Sequence, residues 1–168
     1  MSSPAAIAGQ TVVLRPTTAT HVPRFLEILS QPEVAKWWGG YDLERVRREL
    51  LGPRGYAVER HGEVVGLIIY YEEDDPDHRH AGIDLAVAPE AQGQGLGADA
   101  MRTMARHLFE VRGHHRIVID PAAHNERAIR SSTRVGFRPV GVMRSYERRL
   151  DGSWHDGLLM DLLPDDLV

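Results

Sequence analysis

The chain has 168 residues, of which 42% are hydrophobic and 26% charged, as in a single soluble globular domain. It contains no cysteine, so disulfides, zinc–thiolate sites and a cysteine nucleophile are excluded. The formal net charge is −4, from 20 Lys and Arg against 24 Asp and Glu. This balance disfavours nucleic-acid binding, which needs a basic face, and favours a cationic or neutral partner.

No targeting or membrane segment is predicted. The opening MSSPAAIAGQ lacks the basic patch and apolar run of a secretory signal peptide. No apolar stretch approaches the ~20 residues that a membrane-spanning helix needs. We therefore predict a cytoplasmic protein with no membrane partner.

Hydrophobic periodicity and turn residues divide the chain into strands and helices. Strands are predicted at residues 11–16, 55–73 (a hairpin turning at His61-Gly62), 81–89, 115–120, and 137–150 with 153–163 as a closing pair. Helices are predicted at residues 18–34, 42–50, 95–111 and 125–137, the last stopped by Gly136. Connections that alternate between hairpins and helical crossovers predict a mixed α/β sheet with helices on both faces, in one domain spanning residues 1–168.

A glycine-rich turn, Gln92-Gly93-Gln94-Gly95-Leu96-Gly97, joins an apolar strand to the third helix. A helix N-terminus offers unpaired N–H groups and a partial positive charge, and glycines let an anion approach them. The Rossmann fingerprint and the P-loop do not match this spacing. From the residues alone, the turn is either a flexible connector or an anion cradle.

The same segment resembles the Q/R-x-x-G-x-G/A motif of the GCN5-related N-acetyltransferases (GNATs), and the order of elements resembles that fold. A second match is Asn125 with Ala128, which is similar to the N-x-x-A segment of the family and is followed by its G-F end at Gly136-Phe137. The resemblance implies a GNAT fold with a mixed, mostly antiparallel central sheet. It implies that this sheet is splayed between the fourth and fifth predicted strands, and that acetyl-CoA is the cofactor. Dimers are common in the family, so the resemblance also implies a homodimer as a candidate assembly.

The resemblance also implies which residues hold acetyl-CoA. In the family the glycine motif binds the pyrophosphate, the preceding strand pairs with the pantetheine arm, and the asparagine lies near the thioester. The implied cofactor site is Leu85, Ala86, Val87, Gln92, Gly93, Gln94, Gly95, Leu96, Gly97, Ala98, Asn125 and Ala128.

One position departs from the family pattern. Many members place a tyrosine seven residues after the asparagine, where its hydroxyl can protonate the leaving thiolate, and this chain has Ser132 there. A serine hydroxyl is shorter and a weaker acid, so Ser132 is a catalytic candidate only through a water relay. Tyr71 and Tyr146 are other candidates, and protonation from solvent needs no enzymatic acid at all.

An acceptor amine must lose a proton before it can attack a thioester, and Asp84 is the first candidate for its base. Asp84 lies mid-strand between Ile83 and Leu85, and its side chain is expected on the opposite face. A strand aspartate needs a partner. The structural alternative is a salt bridge to an arginine such as Arg79.

Other residues are candidates for acceptor binding. Asp120 ends a strand that would face the same cleft, and its alternative is a helix or turn cap before Pro121. Residues 72–78 form an acidic run that is either a solvated loop or an attractor of polycations. Trp37 and Trp38 lie in a predicted loop, where they either pack in the core or cover the acceptor.

Three short segments resemble one branch of the family, the aminoglycoside 6'-N-acetyltransferases. They are the Trp37-Trp38-Gly39-Gly40 stretch, Gly82-Ile83-Asp84, and Asp120-Pro121 shortly before the asparagine. The resemblance implies Asp84 as general base, Asp120 on the amines of the sugar ring, and Trp37 and Trp38 beside the sugar. The expected acceptor site is completed by Tyr71 and Glu72.

Two rival functions remain open on the sequence. One keeps the chemistry and changes the acceptor to a protein N-terminus, as in ribosomal-protein acetyltransferases, or to a polyamine. An open groove would favour a peptide, and a closed acidic pocket a sugar. The other is a non-catalytic acyl-CoA-binding module. The histidines lack a third ligand at sensible spacing, so no metal site is predicted.

Overall fold

A computed structural model describes residues 4–168 of the chain. Within these residues, eight strands form one sheet in the order β1-β2-β3-β4-β5-β6-β8-β7. The strands are β1 (Ile7–Ala8), β2 (Val13–Pro16), β3 (Gly55–Arg60), β4 (Glu63–Glu73), β5 (His80–Val87), β6 (Ile117–Ile119), β7 (Arg138–Arg148) and β8 (Trp154–Leu162). The helices are α1 (Val22–Ser30), α2 (Pro32–Trp38), α3 (Leu43–Glu49), α4 (Leu96–Glu110) and α5 (Glu126–Val135).

The sheet is antiparallel except where β5 meets β6. These two strands run parallel and pair only at Ala81 with Ile117 and at Gly82 with Val118. By contrast, β4 and β5 pair along the whole length of β5. The last five residues of β5 therefore have no partner in β6, and the strands diverge. The short strand β1 was not predicted, so β5 and β6 correspond to the fourth and fifth predicted strands. Their divergence confirms the predicted GNAT-type sheet.

The helices cover both faces of the sheet. On one face α4 lies against β5, and the side chains of Leu85 and Val87 reach the first turn of this helix beside Gly97. On the other face α1 and α2 contact β4 and β5. Both groups of helices contribute fully buried side chains, among them Phe25 of α1 and Met104 of α4. None of the helices in residues 4–168 is both long and apolar enough to cross a lipid bilayer.

The segment that was predicted as one helix over residues 18–34 is two helices. Gln31 between them has an extended backbone, with φ −66° and ψ 134°. The physical reason is Pro32, which disfavours a helical conformation in the residue before it and is well suited to begin a new helix. As a result Trp37 and Trp38 end helix α2, and the prediction that they lie in a loop is wrong.

A buried carboxylate fixes the N-terminal strands to α4. Asp99, in the first turn of α4, accepts hydrogen bonds from the N–H groups of Gln10 (3.2 Å), Thr11 (2.7 Å) and Val12 (3.1 Å) and from the hydroxyl of Thr11 (2.9 Å). Burial opposes ionisation of this carboxyl, but these bonds outweigh it and lower the pKa of Asp99. The helix that follows the glycine turn is thus held in place by the start of the chain.

We expect Asp99→Asn to destabilise the fold by about 2 kcal/mol, because charge-assisted bonds become neutral ones and an amide N–H then meets main-chain donors. The lowered pKa means that the ionised carboxylate contributes stability above its unfolded pKa of ~3.9, and that this contribution is lost as the pH falls through the folded value. Urea midpoints at pH 7 and at acid pH measure both effects. The control is Asp165→Asn on an exposed turn, and equal midpoint shifts in the two variants would contradict the assignment.

Candidate active site

The divergence of β6 exposes main-chain groups of β5. The N–H of Ala88 donates to the carbonyl of Val65 at 2.8 Å, and residues in an antiparallel ladder alternate in direction. The main-chain groups of Leu85 and Val87 therefore point into the gap between β5 and β6, whereas those of Ala86 point to β4. The expectation that the main chain of Ala86 binds the cofactor is corrected, because β4 occupies it.

Two side chains already bind the carbonyls in this gap. The indole N–H of Trp38 donates to the Leu85 carbonyl at 3.2 Å, and the amide of Gln92 donates to the Val87 carbonyl at 2.9 Å. The N–H groups of Leu85 and Val87 have no residue of β6 opposite them. The gap therefore presents hydrogen-bond donors, and one of them can face a developing oxyanion.

The glycine turn opens toward solvent in front of α4. Gly93 and Gly95 have φ of +77° and +78°, a conformation that favours glycine, and a Cβ at either position would meet nothing within 4 Å. Gly95 is also the N-cap of α4. Arg127 of α5 bonds the Gln92 side chain, and Arg60 of β3 bonds the Gln94 side chain. The turn thus combines open helix N–H groups with two flanking arginines, which suits a polyphosphate. Neither arginine could be predicted from the sequence, because each comes from an element distant in the chain.

The N-x-x-A segment forms the start of α5. Asn125 is the N-cap, and its Oδ1 accepts a hydrogen bond from the Ala128 N–H at 3.2 Å. Ser132 is buried, with 3% of its surface exposed, and its hydroxyl donates to the Ala128 carbonyl at 2.7 Å and contacts Met101 of α4. The structure therefore does not place Ser132 as a proton donor in the gap, since its proton is used within its own helix.

Two carboxylates border the gap, one on each strand. Gly82 pairs with Val118, so two residues further along each strand Asp84 and Asp120 stand at the same level on the same face of the sheet. Within residues 4–168, no arginine, lysine or histidine lies within 4.0 Å of Asp84 as an ion pair. Arg79 instead donates to the carbonyls of Gly113 and Arg112. The salt-bridge alternative for Asp84 is therefore wrong.

The lack of a counter-ion changes the acidity of Asp84. Burial, and then the charges of Asp120 and Glu147, raise the pKa of Asp84 to about 7. A carboxylate with a pKa near neutral pH accepts a proton from an amine far better than an ordinary aspartate does. Three acidic groups lie close together here, and a cationic ligand would relieve their mutual repulsion.

Two tyrosines border the carboxylates. The ring of Tyr71 lies across β5 at Gly82, where a Cβ would overlap it, and the hydroxyl of Tyr146 donates to Asp120 at 2.7 Å. Burial, followed by the charges of Asp120 and Asp84, raises the pKa of Tyr71 to about 12. The hydrogen bond to Asp120 raises the pKa of Tyr146 as well. Neither tyrosine is therefore an efficient acid toward a thiolate at neutral pH.

Glu72 does not belong to this cluster. Only 2% of its side chain is exposed, and it is paired with Arg112 at 2.8 Å, with Arg54 at 3.5 Å and with His114. Burial opposes ionisation, but the hydrogen bonds from Arg112 and His114 outweigh it and lower the pKa of Glu72 to about 2. Side chains alternate along β4, so Tyr71 faces the cleft and Glu72 faces the segment that follows α4. The predicted acceptor contact is replaced by a structural ion pair.

The end of the β7–β8 hairpin docks beside the two tryptophans. Arg149 donates to the carbonyls of Lys36 (3.0 Å) and Trp37 (3.3 Å), and its guanidinium lies 5.3 Å from the Trp37 ring. Leu150 packs on Gly39, where a Cβ would collide with it. On its other side Trp37 contacts His124, with ring centroids 5.0 Å apart. The hairpin thus reaches α2, whose Trp38 in turn bonds β5 at the edge of the gap.

A family profile described as "Acetyltransferase (GNAT) domain" matches residues 11–138. The chain therefore belongs to the GNAT acetyltransferase family, and it is an acetyl-CoA-dependent N-acetyltransferase. The open turn before α4, its flanking arginines and the unpaired N–H groups of β5 fit the pyrophosphate and pantetheine parts of that cofactor.

Individual relatives and solved structures are also similar to this chain. The chain is 29% identical to aminoglycoside N(6')-acetyltransferase type 1 of Klebsiella pneumoniae, over 81% of this chain and 78% of the relative. It is 28% identical to spermidine N(1)-acetyltransferase of Escherichia coli (strain K12), over 64% of this chain and 56% of the relative. The solved structure of AAC(6')-Ib in complex with paromomycin and acetyl-CoA is similar with a TM-score of 0.77 and 25% identity, over 94% of this chain and 96% of that one.

We expect Gly95→Ala to weaken acetyl-CoA binding about tenfold or more, because a methyl group would project into the open turn and a charge-assisted bond to phosphate would be disturbed. The matched control is Gly113→Ala, since Gly113 has φ +71° and equally open surroundings but lies beyond the far end of α4. Both variants carry similar backbone strain, so calorimetric titration with acetyl-CoA separates the site effect from lost stability. Equal affinity in the two variants would remove the turn from the cofactor site.

Proposed function

We propose that this protein acetylates a primary amine of a polycationic small molecule, and that the preferred acceptor is the 6'-amine of an aminoglycoside. The observation that carries the proposal is the acidic pair Asp84 and Asp120, which has no cationic partner among residues 4–168 and lies beside the donor groups of β5. An ammonium group bound there would neutralise the pair and would lie next to the thioester site. The similarity to an aminoglycoside acetyltransferase over most of both chains supports this choice.

The chemistry follows from the positions of the residues in the gap. Acetyl-CoA supplies the activated acetyl group. Asp84 takes a proton from the acceptor ammonium, which frees the nitrogen lone pair for attack. The Leu85 N–H faces the gap and can stabilise the negative charge that develops on the carbonyl oxygen. Ser132, Tyr71 and Tyr146 are each bound elsewhere or poorly acidic, so we assign protonation of the leaving thiolate to solvent.

A polyamine is the second candidate acceptor, and the spermidine acetyltransferase relative favours it. The acidic pair attracts any polycation, so charge alone does not separate the two classes. A protein N-terminus is less well supported, because the β7–β8 hairpin reaches α2 beside the gap, where an extended peptide would need an open groove. A non-catalytic acyl-CoA-binding role has no use for a base with a near-neutral pKa.

The test is coenzyme A release, followed by thiol titration, with kanamycin, spermidine and a short peptide with a free N-terminus as acceptors. Turnover with kanamycin at the highest kcat/KM supports the proposal. Preference for spermidine would move the function to the polyamine class, and preference for the peptide would contradict the argument from the hairpin. Tight acetyl-CoA binding without turnover of any acceptor would favour the binding-module alternative.

We predict that Asp84→Asn lowers kcat by about 100-fold or more, because a positioned general base contributes roughly that factor. The affinity for acetyl-CoA should stay within about twofold, since binding and chemistry use different groups. Steady-state kinetics and calorimetric titration measure the two quantities. Asp74→Asn, in the exposed acidic loop, removes the same charge outside the cleft, and comparable losses in both variants would reduce Asp84 to a general electrostatic role.

The rate should also depend on pH in a defined way. Because the base works only when ionised and the pKa of Asp84 is raised to about 7, kcat/KM should fall as the pH drops through about 7. An alkyl acceptor amine titrates near ~10.4, so it does not produce this acid limb. In the pH profile of kcat the same decrease should occur at lower pH, since the bound cationic acceptor stabilises the ionised Asp84 carboxylate. Persistence of the limb in Asp84→Asn would assign it to another group.

A further inference from the structure

The last residue of α2, Trp38, lies at the edge of β5 that borders the gap. Its indole N–H donates to the Leu85 carbonyl at 3.2 Å, and its ring contacts the ring of Tyr41, with centroids 5.6 Å apart. The side chain is partly buried and packs against the hydrophobic core. Trp38 is therefore held on two sides, and its indole is a fixed part of the gap beside Leu85.

The carbonyl that binds this indole is next to the donor that we assign to the oxyanion. The N–H and the carbonyl of Leu85 belong to one extended residue, so both point to the same side of the strand. An acyl carbonyl that accepts a hydrogen bond from the Leu85 N–H would therefore lie beside the Trp38 ring. The indole thus borders the position where the acyl group reacts.

The order of groups along β5 gives the direction in which the cofactor lies. The side chain of Gln92, in the glycine turn, binds the Val87 carbonyl at 2.9 Å, so Val87 is the gap residue beside the turn. Leu85 lies two residues further from it. A molecule whose phosphates bind at the turn therefore has its acyl end at Leu85, which is the end where Trp38 stands.

The indole reaches the gap from the face of the sheet that carries the candidate base. Helix α2 contacts β5 on the face opposite α4, and the Leu85 side chain lies on the α4 face. Because side chains alternate along a strand, Asp84 is on the face of α2. The base and the Trp38 ring therefore flank the acyl position from the same face, and the ring limits how far an acyl chain can extend there.

The neighbouring tryptophan has different contacts. Trp37 lies between the guanidinium of Arg149, at 5.3 Å, and the ring of His124, at 5.0 Å between centroids. Arg149 also donates to the Trp37 carbonyl at 3.3 Å. These contacts hold the end of α2 in place, which favours a fixed Trp38 ring over one that moves aside for a larger ligand.

We propose that the Trp38 indole is the wall that limits the acyl group, so that an acetyl group fits beside Leu85 and a longer acyl chain is excluded. Trp38 is then a specificity-determining residue for the acyl donor, since a rigid, well-packed site tolerates added methylene groups poorly. The inference rests on the proposed position of the acyl carbonyl at the Leu85 N–H, and it is independent of the acceptor amine.

The experiment measures the binding of acyl donors without any acceptor. Calorimetric titration gives the Kd values of acetyl-CoA, butyryl-CoA and free coenzyme A, and the last of these reports damage to the part of the site that all three ligands share. The wild-type protein should bind butyryl-CoA at least about tenfold more weakly than acetyl-CoA, because the two extra methylene groups would overlap the indole. Trp38→Ala should bring the two affinities within about twofold of each other.

Two further variants keep the test decisive. Trp38→Leu retains an apolar contact with the core and should shift the ratio of the two Kd values in the same direction, even if the alanine variant does not fold. Trp37→Ala is the matched control, because it removes the same side chain from the same end of α2, and it should keep the wild-type ratio.

The outcomes separate this inference from the choice of acceptor. If kanamycin is not acetylated but the ratio of Kd values depends on Trp38, the aminoglycoside proposal fails and the acyl wall stands. Equal wild-type affinity for acetyl-CoA and butyryl-CoA, an unchanged ratio in the Trp38 variants, or an equal shift in Trp37→Ala would each overturn the acyl wall.

Discussion

The parallel strands β5 and β6 pair at only two positions and then diverge. This divergence forms both the cofactor side and the acceptor side of the candidate site. On one side the divergence leaves the N–H groups of Leu85 and Val87 without sheet partners. On the other side it holds Asp84 and Asp120 at the same level with a gap between them. A complete ladder would pair the donors and would leave no room for a ligand between the carboxylates. The groups that we assign to the cofactor and those that we assign to the acceptor therefore depend on the same break in the sheet.

The acidic residues of the protein divide according to whether they have partners. Asp99 and Glu72 are surrounded by donors or cations, and their pKa values are lowered, so each stabilises the fold when ionised. Asp84 has no such partner, and its pKa rises from 3.8 to about 7. The folded state then binds the proton more tightly than the unfolded state, and stability falls as the pH rises across that range. A cost of this kind at one position, with well-paired acids elsewhere, is typical of a functional site.

The sequence was sufficient where the signal is local. Three features could be identified from a few neighbouring residues each: the glycine turn, the capping asparagine and the aspartate inside an apolar strand. Their placement follows from the order of strands and helices. It was insufficient where the site depends on contacts between distant segments: nothing in the stretch around Tyr146 predicts that its hydroxyl reaches Asp120. Two errors were avoidable. Adjacent strand residues such as Tyr71 and Glu72 face opposite sides, and Pro32 marks the start of a new helix.

One relative of this chain is an aminoglycoside N(6')-acetyltransferase and another is a spermidine N(1)-acetyltransferase, so the acceptors in both names are polycations. Negative charge attracts either cation, so a preference between the two acceptors must come from the residues that surround the acidic pair. A flexible chain loses conformational entropy when a pocket holds several of its amines, whereas a ring system presents them already spaced. In this protein the β7–β8 hairpin beside the acidic pair is held in place, because Arg149 bonds α2 and Tyr146 bonds Asp120. A site held in place in this way binds a preorganised acceptor with the smaller entropy loss, and this physical argument favours the aminoglycoside that we propose over a polyamine.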